Sequence, residues 1–115
     1  MGATPIPIDD TALQLPAIAA QRLELAELCR EFPIRRLEIF GSAVHGSFDS
    51  ERSDLDFLVE FKPLQPGDYA TAFFAFKEAL EQLFERSVDL VVPSAIRNPY
   101  FRQSVERSKT LLYAA

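Results

Sequence analysis

At 115 residues, 48% of them hydrophobic and 25% charged, the chain is large enough for one packed core and too small for two. Its formal net charge of −5 argues against broad, non-specific nucleic-acid binding, which needs a basic face, but not against a nucleotide substrate whose charge a metal ion offsets. The single cysteine, Cys29, excludes an internal disulfide and a cysteine-based zinc site, and with no membrane-length apolar run and no signal-peptide core the expected setting is cytoplasmic.

In chain order, residues 1–12, with Pro5 and Pro7, predict a flexible N-terminal arm, and residues 13–115 a single domain. From Leu13 to Phe32, Leu15, Ile18, Leu25, Cys29 and Phe32 recur at helical spacing among charged residues, an amphipathic helix stopped by Pro33. Cys29 sits in that apolar stripe and reads as a small core residue. Arg36 to Phe40 predicts a short strand, with Leu37 and Ile39 on one face, running into Gly41.

Between Gly41 and Gly46 lies Ser42-Ala43-Val44-His45. Its residues fit either an ordinary turn with Ser42 as helix N-cap or a helix start whose free amides suit phosphate. It is neither a P-loop nor a dinucleotide fingerprint. A polar loop from Asp49 to Ser53 leads into the stretch Asp54–Phe61. There Leu55, Phe57, Val59 and Phe61 alternate with Asp54, Asp56 and Glu60, a strand with one buried face. Two aspartates two residues apart on one face repel by roughly 2–3 kcal/mol at an effective dielectric near 20, so in a cleft they need a cation.

Lys62 to Gly67 is rich in turn formers. Asp68 then predicts the cap of a second helix, striped by Tyr69, Phe73, Phe76, Leu80, Leu83 and Phe84, with Phe74 off the stripe. Val88 to Val92 is a third strand, in which Asp89 shares a face with Val91 and opposes Val88, Leu90 and Val92. An aspartate in so apolar a strand is either an edge residue facing water or a third carboxylate converging on the other two. Ser94 starts a turn broken at Asn98-Pro99, Tyr100 to Lys109 reads as a last helix, and Leu111-Leu112-Tyr113 as a strand or core-packing tail.

Three segments then combine: Gly41-Ser42-Ala43-Val44-His45-Gly46, Ser53-Asp54-Leu55-Asp56-Phe57-Leu58-Val59 and Val88-Asp89-Leu90-Val91. Together they resemble the G-S-x-A-R-G, S-D-x-D-[LF]-x-V and V-D-L-V segments of the DNA polymerase β-like nucleotidyltransferases. The likeness is nearest to the minimal nucleotidyltransferases (MNT) that accompany HEPN proteins. The resemblance implies an α/β (α+β) nucleotidyltransferase fold, a small mixed β-sheet with helices mainly on one face. It implies Asp54, Asp56 and Asp89 as catalytic metal ligands, with Asp54 and Asp56 serving the triphosphate and Asp89 the attacking oxygen. Gly41, Ser42, His45, Gly46 and Ser53 would hold the nucleotide phosphates. Val44 and His45 stand where the pattern has alanine and arginine, and an imidazole is a weaker, pH-dependent donor.

The implied chemistry uses ATP as substrate and Mg²⁺, as a two-ion site, to move AMP onto a protein hydroxyl. No extra lobe for a small acceptor is evident. That points to a macromolecular acceptor, and the resemblance implies that it is a HEPN toxin tyrosine, within a hetero-oligomer in which this chain acts as antitoxin. The alternatives are an antitoxin that neutralises by occlusion without catalysis, and transfer to a small molecule.

Overall fold

The computed structural model describes residues 18, 20–41 and 55–115. The predicted arm, the opening of the predicted first helix, and Ser42, His45, Gly46, Ser53 and Asp54 lie outside the described residues.

The alternation in the second strand sets the architecture. In β2, Leu55–Phe61, the side chains of Leu55, Phe57 and Val59 are buried in the main core. They meet Leu37 and Ile39 of β1, Ile34–Phe40, and Val88 and Leu90 of β3, Val88–Val91. Two helices close this core: α1, Arg22–Glu31, through Leu25 and Cys29, and α2, Pro66–Phe84, through Phe76, Leu80 and Phe84. Phe57 stacks on Phe84 with ring centroids 5.8 Å apart, and Phe32 tilts against Phe76 at 5.3 Å. Each such ring withdrawn from water contributes roughly 1.5–3 kcal/mol.

The opposite face carries a smaller core of Phe40, Leu58, Ile96 and Val105, so β2 is buried on both faces at Leu58 and not on one face as its alternation implied, because α3 packs there. It is covered by a 3₁₀ turn, Pro93–Ala95, and by α3, Pro99–Ser108. The chain ends in β4, Thr110–Ala114, and the sheet order is β3-β2-β1-β4. β1 pairs antiparallel with β2 and β4, whereas β2 and β3 are parallel. A parallel pair requires a crossover, and α2 supplies it. The sheet is therefore mixed, with two helices on one face, as the family resemblance implied.

Several boundaries depart from the sequence expectation. Asp68 does not cap α2: the helix begins at Pro66 with Gln65 at the cap position, and Asp68 lies within its first turn. Proline suits a first helical position because its φ is preset and its missing N–H has no partner there anyway. The same logic applies at Asn98-Pro99, the expected break after the Pro93–Ala95 turn, where α3 starts one residue earlier than expected: the Asn98 side chain accepts from the amides of Tyr100 and Phe101. β1 begins at Ile34, two residues earlier than expected, because Ile34 is buried and pairs with Phe61. Phe74 is 66% exposed, as its place off the stripe implied. Among the described residues, no helix is long and apolar enough to cross a membrane.

Candidate active site

β1 leaves the sheet at Gly41, whose φ of +82° is a left-handed conformation that side chains resist. Phe40, the last residue of β1, is the register partner of Asp56. A Cβ on Gly41 would lie 2.5 Å from Asp56 Oδ2, so glycine is required here twice, for its backbone and for space. The Gly41 N–H points toward α3 and donates to Ser108 Oγ at 3.1 Å. Its amide is thus engaged, and what Gly41 visibly provides is room for the carboxylate.

Asp56 pairs in register with Asp89 on the neighbouring parallel strand. Residues so paired project from the same face, with strands about 4.8 Å apart. Asp56 is half-buried and Asp89 exposed. Asp89 thus faces water on an edge strand, as one sequence reading had it, and stands beside Asp56; Asp54, which the other reading also needs, is outside the described residues. At about 5 Å and an effective dielectric near 20, two carboxylates repel by about 3 kcal/mol, less where water reaches Asp89. A bound cation reverses the sign of that interaction.

The start of β3 is held from α2. Glu81 Oε2 accepts from the Val88 amide at 3.1 Å and from Lys77 Nζ at 3.4 Å. The Val88 N–H, and then Lys77, hold the Glu81 carboxyl below the usual glutamate range against the opposing effect of desolvation. The Leu55 amide donates to the Ser87 carbonyl at 3.2 Å, which completes the junction of β2 and β3. These bonds fix the strand one residue before Asp89.

Hard carboxylate oxygens, one half-buried and one open to water, suit Mg²⁺, which takes one or two carboxylates and keeps room for water and phosphate oxygens. Among the described residues no group of three acidic, histidine or cysteine side chains forms a cluster, the third expected carboxylate, Asp54, being outside them. Glu38 also faces this side of the sheet, but it is tied to Arg36 at 3.2 Å and Lys109 at 4.0 Å. It serves as a buried ion-pair partner. An open cavity of about 260 Å³, lined by Glu60, Phe61, Tyr69 and Ser94 among others, lies at the other end of β2 and away from the aspartates.

Sequence reasoning missed Ser108 and Glu81. A serine ending a helix and a glutamate seven residues before a strand carry no local signal of what they bond.

Residues 24–112 match the family described as nucleotidyltransferase domain. A Methanocaldococcus jannaschii chain provisionally named a protein adenylyltransferase is 38% identical over 79 residues, covering 69% of this chain and 76% of that one. A solved structure provisionally described as a minimal nucleotidyltransferase is 33% identical, with a TM-score of 0.61 over 83% of this chain and 92% of that one. A complex of a tri-AMPylated Shewanella oneidensis HEPN toxin with MNT antitoxin contains a chain of the same fold, 19% identical, TM-score 0.56, covering 84% of this chain and 72% of that one.

Proposed function

The chain belongs to the nucleotidyltransferase family, and from that premise we propose that it transfers AMP from ATP to a hydroxyl of a partner HEPN toxin and so acts as the antitoxin of the pair. The in-register placement of Asp56 beside Asp89, next to a turn where only glycine fits, carries the reading. The adenylyltransferase relative and the likeness to a chain from an AMPylated toxin complex support the choice of donor and acceptor.

The acceptor oxygen, a tyrosine hydroxyl in this reading, attacks the α-phosphorus of ATP. One P–O bond forms, the bond to the β-phosphate bridging oxygen breaks, and pyrophosphate leaves with that electron pair. Asp89, open to water on the edge strand, takes the hydroxyl proton or passes it to solvent. Asp56, with Asp54, would hold the metal on the triphosphate, and Asp56 with Asp89 the metal on the attacking oxygen. Bound there, Mg²⁺ supplies charge stabilisation to the attacking and leaving oxygens. Gly41 keeps the space in which the Asp56 carboxylate sits, and Ser42, His45, Gly46 and Ser53 would cradle the phosphates. Residues 13–115 act as one catalytic unit in the cytoplasm.

The test incubates the protein with labelled ATP, Mg²⁺ and the HEPN partner. Label is expected on the partner with the native chain, and none with Asp56→Asn, which removes a charge without disturbing the buried face of β2. An unlabelled partner that still forms the complex and is still silenced points to occlusion. Normal labelling by Asp56→Asn removes the carboxylate from the mechanism.

A further inference from the structure

The turn beside Asp56 is fastened from the far end of the chain. Ser108, the last residue of α3, accepts from the Gly41 amide at 3.1 Å and donates to the Ser104 carbonyl at 3.1 Å. A hydroxyl has one proton to give, so with that proton on Ser104 only its lone pairs face Gly41. The relay therefore has one polarity. Ser108 is 3% exposed, and its own carbonyl accepts from Thr110 Oγ1 at 3.3 Å, at the start of β4. Thr110 in turn pairs with Ile39 of β1, so Ser108 is held by its hydroxyl within the helix and by its carbonyl from the start of β4.

Alanine at this position would leave the Gly41 N–H without the acceptor that Ser108 Oγ supplies. What the hydroxyl does is restrain a glycine, the residue that most readily abandons one φ for another. With Gly41 displaced, the Asp56 carboxylate loses the neighbour that borders its space. We infer that Ser108 is a positioning residue of the transferase site, holding the Gly41 turn in the left-handed conformation that leaves room for Asp56. The inference rests on Asp56 being catalytic, and its test separates the two.

Ser108→Ala and Ser108→Thr are compared with the native chain and with Leu80→Ala, which opens a cavity on the opposite face of the sheet. Two quantities are read: hydrogen exchange of the Gly41 amide in the isolated chain, and kcat and KM for ATP with the HEPN partner. Ser108→Ala is expected to speed Gly41 exchange about tenfold and lower kcat about tenfold, with KM for ATP within about twofold. Ser108→Thr, which keeps the hydroxyl, is expected to recover part of both. Leu80→Ala is expected to lower the urea midpoint and leave kcat per folded molecule unchanged.

Native exchange and native kcat in Ser108→Ala overturn the inference. So does the same kcat loss in Leu80→Ala, which traces the effect to general destabilisation. If the native chain itself transfers nothing, the transferase reading fails, and Gly41 exchange still decides whether Ser108 restrains the turn.

Discussion

Replacing Gly41 with alanine tests the geometry at its tightest point. Two costs add. A side chain at φ +82° meets the left-handed penalty, about 1–2 kcal/mol for an ordinary residue. The new Cβ would also lie 2.5 Å from Asp56 Oδ2, where ordinary contact begins at 3.4 Å, so the carboxylate must retreat by about 0.9 Å (3.4 − 2.5). A displacement of about 1 Å at reacting groups costs on the order of 100-fold in rate. Folded domains retain roughly 0.05–0.15 kcal/mol of stability per residue, so a chain of 115 residues survives the strain as a folded protein. The expected variant is folded, with a urea midpoint lowered by the equivalent of about 1–3 kcal/mol and labelling of the partner slowed about 100-fold. Both are measured on one preparation, with circular dichroism setting the folded fraction. A folded Gly41→Ala protein that labels its partner at the native rate refutes the argument that this glycine makes room for Asp56.

Glu81 is expected to give a pH-dependent contribution to stability. Its carboxyl titrates lower in the folded chain than in the unfolded one, where a glutamate has a pKa of about 4.3. The folded state thus binds fewer protons in that range, so the contribution is fully present above about pH 5 and drains away as the pH falls through the folded value. Thermal melts of the native chain and Glu81→Gln from pH 7 to pH 3 are expected to differ at the upper end and converge at the lower; a gap that is constant across the range contradicts the assignment. Cys29 is expected to be inert in the native chain at pH 8, because burial pushes its thiol up to about 12 and leaves almost no thiolate. A chromogenic disulfide reagent is expected to react only after denaturant is added, and stoichiometric reaction with the folded protein shows that the α1 core is open.

Among the described residues, the outward placement of the candidate carboxylates Asp56 and Asp89 was legible in the chain because period-two alternation is a local property. Asp56 and Asp89 each sit among apolar neighbours that must face the core, so the carboxylates must face the other way. Phe74 could be assigned to the surface on the same kind of reasoning. The boundary errors were local too: Asp68 was read as a cap because its residue type favours one, while Pro66 set the helix start through its fixed φ. Asn98-Pro99 was read as a break before the last helix, and it is one; that the Asn98 side chain also caps that helix was not read.

What the sequence by itself determined is which face of each strand enters the main core, where the chain must turn, and the family that three short segments identify. Only the tertiary structure decided which strands become neighbours and at what register. The parallel pairing that sets Asp56 against Asp89, and the bond from Gly41 to Ser108 across 67 positions, belong to that second class. The reason is physical: alternation is written by each residue's own preference for water or core, whereas register and long-range hydrogen bonds are fixed only when α2 and α3 close the two cores on opposite faces of the sheet.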